Sequence, residues 1–364
     1  MTATIEESVH AAPVLEAPDK EGSPAKRRTR DSLGRRRRIR TGLLLATALP
    51  PVVLVINQRA ALEMALGVLG RLDWVWIPLG LTFEAISFMM VARGQRRLFG
   101  RHATGWRLGP FVRTALVSNA LSTSIPLAGP QAGAVYSFRR FRGLGAEPMA
   151  AGWALTAGGT ISSLAAALLL LLGALLSGSS AAAVGAVFGG AASAVVLVLA
   201  LAARGHAGRD RLSRIAVAVL TATRRLSGRP TTDPSILARR HICALEAMKL
   251  STNDWVLASA AALLNWLADI AVFAVSIAAV GASIPWRGLL LAYGLGEAVG
   301  IVGFTPGGVG IVEAAMAGSL MAAGVHHPAA LASVLLYRLI SLWLVTSAGW
   351  LTYVHELRAR AKAL

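Results

Sequence analysis

The sequence predicts an all-α polytopic membrane protein with about six full spans and two re-entrant hairpins that are broken by proline and glycine. Hydrophobic residues make up 55% of the 364 residues, and the mean hydropathy is +0.60. Such a chain is too apolar for a soluble protein with an ordinary surface. Several apolar runs reach the roughly 20 residues that a helix needs to cross a bilayer. Two more long runs contain proline and several glycines, which interrupt helices.

The predicted transmembrane domain covers residues 41–355. Its six full spans are predicted from uninterrupted apolar runs at 41–57, 74–92, 148–176, 181–203, 255–280 and 329–354. Two other apolar segments, 108–137 and 289–324, are long but interrupted. The first contains Pro126, Gly129 and Pro130, and the second contains Pro306 and three nearby glycines. Broken helices at membrane depth are tolerated only where protein or a watery cavity covers the freed backbone groups.

The N-terminal segment 1–40 is predicted to be a disordered, basic cytoplasmic tail. Nine basic residues lie between positions 26 and 40, directly before the first apolar run. One interpretation is a topology signal, and a stronger one adds adhesion to anionic lipid head groups. The net charge of +18 does not indicate a nucleic-acid partner, because the basic residues flank apolar runs and do not line one helical face with interleaved aromatics.

The positive-inside rule favours re-entrant hairpins over two more crossings. If both interrupted segments fold back, every basic cluster faces the cytoplasm, including the insert 204–251 and the basic tail 356–364. Both termini are then cytoplasmic. The first hairpin enters from the cytoplasm and the second from outside, which is compatible with an inverted repeat. Secondary transporters place substrate near the midplane at such an interface.

Several polar residues are predicted to lie within the membrane, where a charge costs roughly 2.5–3.5 kcal/mol on insertion scales. Asn265 and Asp269 are four residues apart and so share a helix face. The residues chosen as candidate binding residues are Glu84, Asn119, Gln131, Glu297, Glu313 and Arg338. An alternative is that Arg338 pairs with one glutamate and only locks helices together. One arginine cannot neutralise three carboxylates, so at least one remains for a substrate, a coupling ion, a proton or water.

The sequence GFTPGGVGIVE at 303–313 allows two interpretations of its glycines and its glutamate. Glu313 near the start of a helix is favourable for the helix dipole. Alternatively, the backbone amides around Gly307, Gly308 and Gly310 cradle an anion such as a phosphate head group, as helix N-termini do. These three glycines are therefore also candidate binding residues.

Three motifs resemble the lysylphosphatidylglycerol synthase transmembrane-domain family, also called the flippase-like or UPF0104 family. They are TPGGVGIVEAAM at 305–316, the pair Tyr337-Arg338, and the Pro/Gly-broken segment 118–145. The resemblance covers about residues 41–355 and implies lipid handling. Many members have Gly-Glu after the first break, where this chain has Gln131-Ala132-Gly133. The chain shows no aminoacyl-transferase domain, so we expect it not to synthesise the lipid.

We therefore expect a lipid or glycolipid transporter of the flippase-like kind, in a bacterial cytoplasmic (inner) membrane. The expected partners are a membrane phospholipid or glycolipid and anionic head groups at the cytoplasmic face. The sequence contains no GxSxG, HExxH or Walker motif and a single cysteine, Cys243, so we expect no enzyme activity, cofactor or metal. Two alternatives remain: an intramembrane enzyme on a lipid-linked substrate, and a non-transporting scaffold for cell-envelope enzymes. The sequence leaves the oligomeric state open.

Overall fold

Long apolar helices dominate the computed structural model, which describes residues 72–103, 105–177, 250–301 and 305–361, with isolated residues at 67 and 70. All of them belong to one unit, Pro50–Leu364. The predicted spans 41–57 and 181–203 lie outside the described residues, as do the tail 1–40 and almost all of the insert 204–251. The described helices are α1 Trp76–Leu98, α2 Gly109–Ser124, α3 Gly129–Gly143, α4 Pro148–Ser177, α5 Thr252–Ala279, α6 Trp286–Gly300, α7 Ile311–Ala322, α8 His327–Arg338 and α9 Val345–Ala361.

In the part of the chain that the structure describes, four helices are long and apolar enough to cross a membrane: α1, α4, α5 and the continuous stretch His327–Ala359. The last of these joins α8 and α9 through a π-helical segment, Leu339–Leu344. These helices correspond to four of the six predicted spans. Because α9 runs to Ala361, most of the predicted tail 356–364 is helical.

Each interrupted segment forms a pair of helices that pack against one another. In the first pair, a Cβ at Gly129 would meet the Ser122 carbonyl, and a Cβ at Gly133 would meet Ser118. In the second pair, Gly288 lies against Ala323, Gly296 against Met316 and Gly300 against Val312. Both sets of contacts advance along one helix as they retreat along the other, so each pair is an antiparallel hairpin. We call α2–α3 the first hairpin and α6–α7 the second hairpin.

The two hairpins open towards opposite ends of the helical bundle. The outer ends of the first hairpin meet where the Phe111 and Phe141 rings lie 5.4 Å apart, in a core with Leu98 of α1 and Ala258 of α5. We call this the basic end, because it also carries Arg96, Arg97, Arg139, Arg140 and Arg142. The outer ends of the second hairpin lie beside Ser177, at the other end of α4.

The long helices α1 and α5 run antiparallel in a register that several contacts fix. The Ser87 hydroxyl donates to Asn265 Oδ1 at 2.9 Å. At the basic end, Arg97 and Asp254 are 3.7 Å apart, and at the opposite end the Asp73 amide donates to the Ala279 carbonyl. This register determines which polar residues of the two helices meet in the interior.

The outer surface of the bundle is apolar, as a lipid-facing surface must be. Large exposed side chains include Leu263, Leu264 and Leu267 on α5 and Trp343 in the π-helical segment. Soluble monomers rarely expose contiguous apolar surface on this scale. Together with the four long apolar helices, this surface identifies a multi-pass membrane protein.

Candidate functional site

Arg338 connects the last span to the break in the second hairpin. It is the last residue of α8 and is 7% exposed. Its Nε donates to Glu313 Oε1 at 2.7 Å, and its guanidinium also donates to the Gly307 carbonyl. The π-helical segment Leu339–Leu344 follows directly, and π-helical turns inside α-helices occur frequently at functional sites. The ion pair is the helix-locking contact that the alternative interpretation of Arg338 expected.

The turn before α7 requires its glycines. Gly307, Gly308 and Gly310 have φ values of 60°, 68° and 93°, a region that L side chains rarely adopt. A Cβ at Gly307 would also lie 2.9 Å from Leu342 in the π-helical segment. Positive φ and the close approach of Leu342 together account for the glycine at 307.

The amides of this turn already donate within the chain. The amides of Gly308 and Val309 donate to the Thr305 and Pro306 carbonyls, and the Gly310 amide donates to Glu313 Oε2 at 2.5 Å. Glu313 therefore caps α7 with one oxygen and pairs with Arg338 through the other. An anion at these amides would have to displace Glu313, and anion binding by the three glycines stays a prediction.

Asp269 of α5 accepts hydrogen bonds from two tyrosines on different helices. Its Oδ2 accepts from the Tyr293 hydroxyl of α6 at 2.5 Å and from the Tyr337 hydroxyl of α8 at 3.1 Å. The two rings pack against Phe273 in the main core cluster. Asp269 thus joins a long span, the second hairpin and the last span.

Glu84 of α1 lies next to Asp269 because of the register between α1 and α5. The two carboxyl groups interact directly, one helical turn from the Ser87–Asn265 bond. Glu84 is 6% exposed. Among the described residues, neither Glu84 Oε2 nor Asp269 Oδ1 has a hydrogen-bond partner. Two carboxyl groups therefore face each other, each with one oxygen that is buried and has no hydrogen-bond partner among the described residues.

Glu297 lies on α6, one turn after Tyr293, and is half-buried. It is within electrostatic reach of both Asp269 and Arg338. We call the whole set the central polar cluster: Glu84, Asp269, Tyr293, Glu297, Glu313, Tyr337 and Arg338. The set contains four carboxyl groups and one arginine, and in the described part of the chain that arginine forms its ion pair with Glu313.

Asn119 and Gln131 lie apart from this cluster. Asn119 on α2 is half-buried, and Gln131 on α3 is exposed. Within the described ranges, no hydrogen bond joins either side chain to the cluster. Helix α2 does contact the Pro306–Gly308 turn, so the first hairpin reaches the break of the second. A binding role for Asn119 and Gln131 stays a prediction.

Sequence reasoning missed three members of the cluster as candidate binding residues: Asp269, Tyr293 and Tyr337. Asp269 was recognisable, since an aspartate within an apolar span needs a partner. Tyr337 stood out only as part of the Tyr337-Arg338 motif, and Tyr293 had no signal, because tyrosine is common near membrane interfaces. Only the packing of three helices brings both hydroxyls to one carboxylate.

Long apolar helices, two hairpins of broken helices and a polar cluster in the interior define a polytopic α-helical membrane protein. The model of one family, described as the lysylphosphatidylglycerol synthase TM region, matches residues 41–349. The chain belongs to this family. It is also 33% identical over 87 residues to a UPF0104 membrane protein of Methanothermobacter thermautotrophicus. That match covers 24% of this chain and 26% of the relative, so the chain aligns with about a quarter of that protein's length.

Proposed function

We propose that the protein moves an amphipathic lipid or glycolipid between the two leaflets of the membrane, in a flippase-like manner. The observation that carries the proposal is the pair of hairpins, which open at opposite ends of the bundle while the first contacts the break of the second. Broken helices at corresponding places of two inverted halves are typical of secondary transporters, whose substrates bind between the halves.

The hairpins are proposed to be re-entrant because their helices are short. Helices α2 and α3 have 16 and 15 residues, and α6 and α7 have 15 and 12. At about 1.5 Å per residue they are about 18–24 Å long, less than the hydrocarbon core of about 30 Å. In the proposed topology each tip ends at mid-depth, where the other hairpin and α1 cover its backbone.

The basic end is proposed to face the cytoplasm. The arginines of α1 and α3 lie there, and Arg140 pairs with Glu356 near the end of α9 at 3.0 Å. Lys and Arg are enriched in cytoplasmic loops, and anionic lipids of that leaflet attract them. This orientation places the second hairpin's opening on the outer side, in a bacterial inner membrane with both termini inside.

The physical problem in lipid movement is the polar head group, since the acyl chains stay in lipid throughout. The exposed leucines of α5 offer an apolar surface for acyl chains, and the central polar cluster lies at the depth that a head group must cross. Glu297 is the cluster member best suited to meet a head group. It is half-buried, and its carboxylate has no hydrogen bond to any described residue.

The test is lipid translocation in vesicles that contain the purified full-length protein. Fluorescently labelled phosphatidylglycerol or a labelled glycolipid is placed in both leaflets, and a membrane-impermeant quencher then reports the fraction reaching the outer leaflet. We expect the wild type to accelerate this exchange and Glu297→Gln to slow it at least tenfold. A matched control is Gly318→Ala on α7, whose Cβ meets no atom within 4 Å.

The proposal is rejected if protein-containing vesicles exchange neither lipid faster than protein-free vesicles. A role of the central polar cluster in lipid movement is rejected if the folded variants all exchange lipid at the wild-type rate. The variants are Glu297→Gln, Glu313→Gln and Arg338→Gln. Conversion of the labelled lipid into a new product would favour the intramembrane-enzyme alternative.

A further inference from the structure

The Glu84–Asp269 pair is an unusual feature of the interior, because both residues lie near the middle of long helices. Glu84 is eight residues after the first residue of α1, and Asp269 is ten residues before the last residue of α5. At about 1.5 Å per residue, both are about 12–15 Å from the same end of the bundle. The pair is thus at mid-depth, on two helices whose antiparallel register is fixed by Ser87–Asn265.

The hydrogen-bond donors around Glu84 and Asp269 satisfy only some of their carboxyl oxygens. Tyr293 and Tyr337 both donate to Asp269 Oδ2, and Oδ1 has no donor among the described residues. Glu84 is more than nine-tenths buried, and its Oε2 has no partner among the described residues. Two ionised carboxylates in this position would repel one another and leave buried oxygens without donors. One proton between them removes the repulsion and supplies the missing hydrogen bond.

Within the described ranges, the surrounding helices offer no free cation to replace that proton. Asp269 is faced by Tyr293 and Glu297 from α6. It is also faced by Tyr337 and Arg338 from α8. Arg338 is engaged by Glu313 and the Gly307 carbonyl. Helix α4 and the π-helical segment contain no ionisable side chain, and α2 contains only Arg113, which is exposed near its start.

We propose that Glu84 and Asp269 form a proton-binding site that shares one proton, and that release and uptake of this proton drive lipid movement. The coupling rests on the proposed function, whereas the shared proton does not. The link is Asp269 Oδ2, which accepts from Tyr293 of the second hairpin and Tyr337 of the last span. Hydrogen bonds to an ionised carboxylate are roughly twice as strong as neutral ones. Loss of the proton therefore strengthens the hydrogen bonds by which Asp269 binds the second hairpin and the last span, and return of the proton weakens them.

The shared proton is tested by infrared spectroscopy of the full-length protein in liposomes. At pH 7 we expect a carbonyl stretch from a protonated carboxylic acid. Glu84→Gln should remove it, because the glutamine amide donates to Asp269 Oδ1 and lets Asp269 ionise. Asp269→Asn should shift the band, since the proton loses its second carboxylate. The matched controls Glu297→Gln and Glu313→Gln should keep the band.

Three infrared results would overturn the site: no such band in the wild type, a band unchanged in both Glu84→Gln and Asp269→Asn, or a band lost in Glu297→Gln. The first of these results needs only the wild-type spectrum. The proton site can therefore be rejected even if a variant does not fold.

The coupling is tested with labelled phosphatidylglycerol in vesicles under a pH gradient of either sign. We expect the wild-type exchange rate to differ at least threefold between the two signs, and that of Glu84→Gln to be equal for both. The coupling is overturned if the exchange rate does not depend on the pH gradient, or if it depends on a sodium gradient instead. If the wild type moves no lipid at all, the proposed function fails and the coupling with it, whereas the infrared band still decides the proton site.

Discussion

Arg338 and Glu313 are joined by a 2.7 Å hydrogen-bonded ion pair that ties the last span to the first turn of α7. Each partner also has a second contact, Arg338 with the Gly307 carbonyl and Glu313 with the Gly310 amide. The pair therefore holds the turn of the second hairpin closed from both sides. The pair lies directly before the π-helical segment and joins α8 to α7.

Substitution of one partner of this pair should destabilise the protein strongly. Arg338→Met leaves Glu313, whose side chain is 12% exposed, without a cation, and breaking a buried pair in this way costs about 3–5 kcal/mol. We expect a clear fall in the thermal unfolding midpoint of the purified protein in detergent. The double variant Arg338→Met/Glu313→Gln should recover part of the loss, because no uncompensated charge remains. Equal midpoints for Arg338→Met and the wild type would contradict the buried pair.

Gly307→Ala should destabilise the protein through two separable effects. The residue has φ 60°, which costs an L residue about 1–2 kcal/mol, and the new methyl would lie 2.9 Å from Leu342. Adding Leu342→Ala removes the contact but leaves the backbone strain, and it leaves a cavity of its own. Thermal unfolding should therefore show that the effects of Gly307→Ala and Leu342→Ala are not additive.

The matched control for Gly307→Ala is Gly318→Ala, which lies within α7 and has open space at its Cβ. It should be neutral or stabilise by up to about 1 kcal/mol, because alanine is the better helix former. If both substitutions behave alike, the turn does not need its glycine.

Gly133→Ala should separate the two helices of the first hairpin. Its Cβ would overlap the Ser122 hydroxyl and approach the Ser118 carbonyl to 2.6 Å, and a backbone atom cannot swing aside. Overpacking of this kind costs about 1–3 kcal/mol. Gly159→Ala on α4, where nothing lies within 4 Å of the Cβ, is the control. Denaturant titration monitored by tryptophan fluorescence measures both, and a neutral Gly133→Ala would argue against close α2–α3 packing.

The sequence was sufficient to predict the membrane class and the positions of the described helices. Apolar runs of adequate length locate α4, α5 and the start of α1 closely, because crossing lipid demands a continuous apolar helix. Helix α1 continues to Leu98, beyond the predicted end at residue 92. Pro126 and Pro306 likewise locate the two breaks, since proline cannot continue the hydrogen-bond ladder. The π-helical segment Leu339–Leu344, whose Leu342 lies against Gly307, had no signal in the sequence.

The site was predicted less completely, for a geometric reason. Glu84, Glu297, Glu313 and Arg338 attracted attention as charges within apolar runs, and the structure brings all four to one neighbourhood. The proximity of Glu84 to Asp269, however, depends on the register of two helices that are far apart in the chain. Apolar periodicity fixes which face of a helix is buried but not how far one helix slides along another.

Cysteine accessibility would test whether the hairpins are re-entrant, in a background with Cys243→Ser. Gly109 and Gly143 are the outer ends of the first hairpin, and both have open space at the Cβ. Arg287 and His326, at the outer ends of the second hairpin, are exposed. If the hairpins are re-entrant, single cysteines at 109 and 143 should both be protected from an impermeant maleimide in intact cells, and those at 287 and 326 should both react.

A crossing segment gives a different pattern, because its two ends must lie on opposite sides of the membrane. Cysteines at 109 and 143 would then differ in their reaction with the impermeant maleimide, and so would those at 287 and 326. Ser137 is a poor reporter for this purpose, since it is 2% exposed and would resist labelling from either side. Permeabilised cells provide the control, in which all four cysteines should react. A split pattern at either hairpin would remove the mid-depth tips on which the proposed lipid path depends.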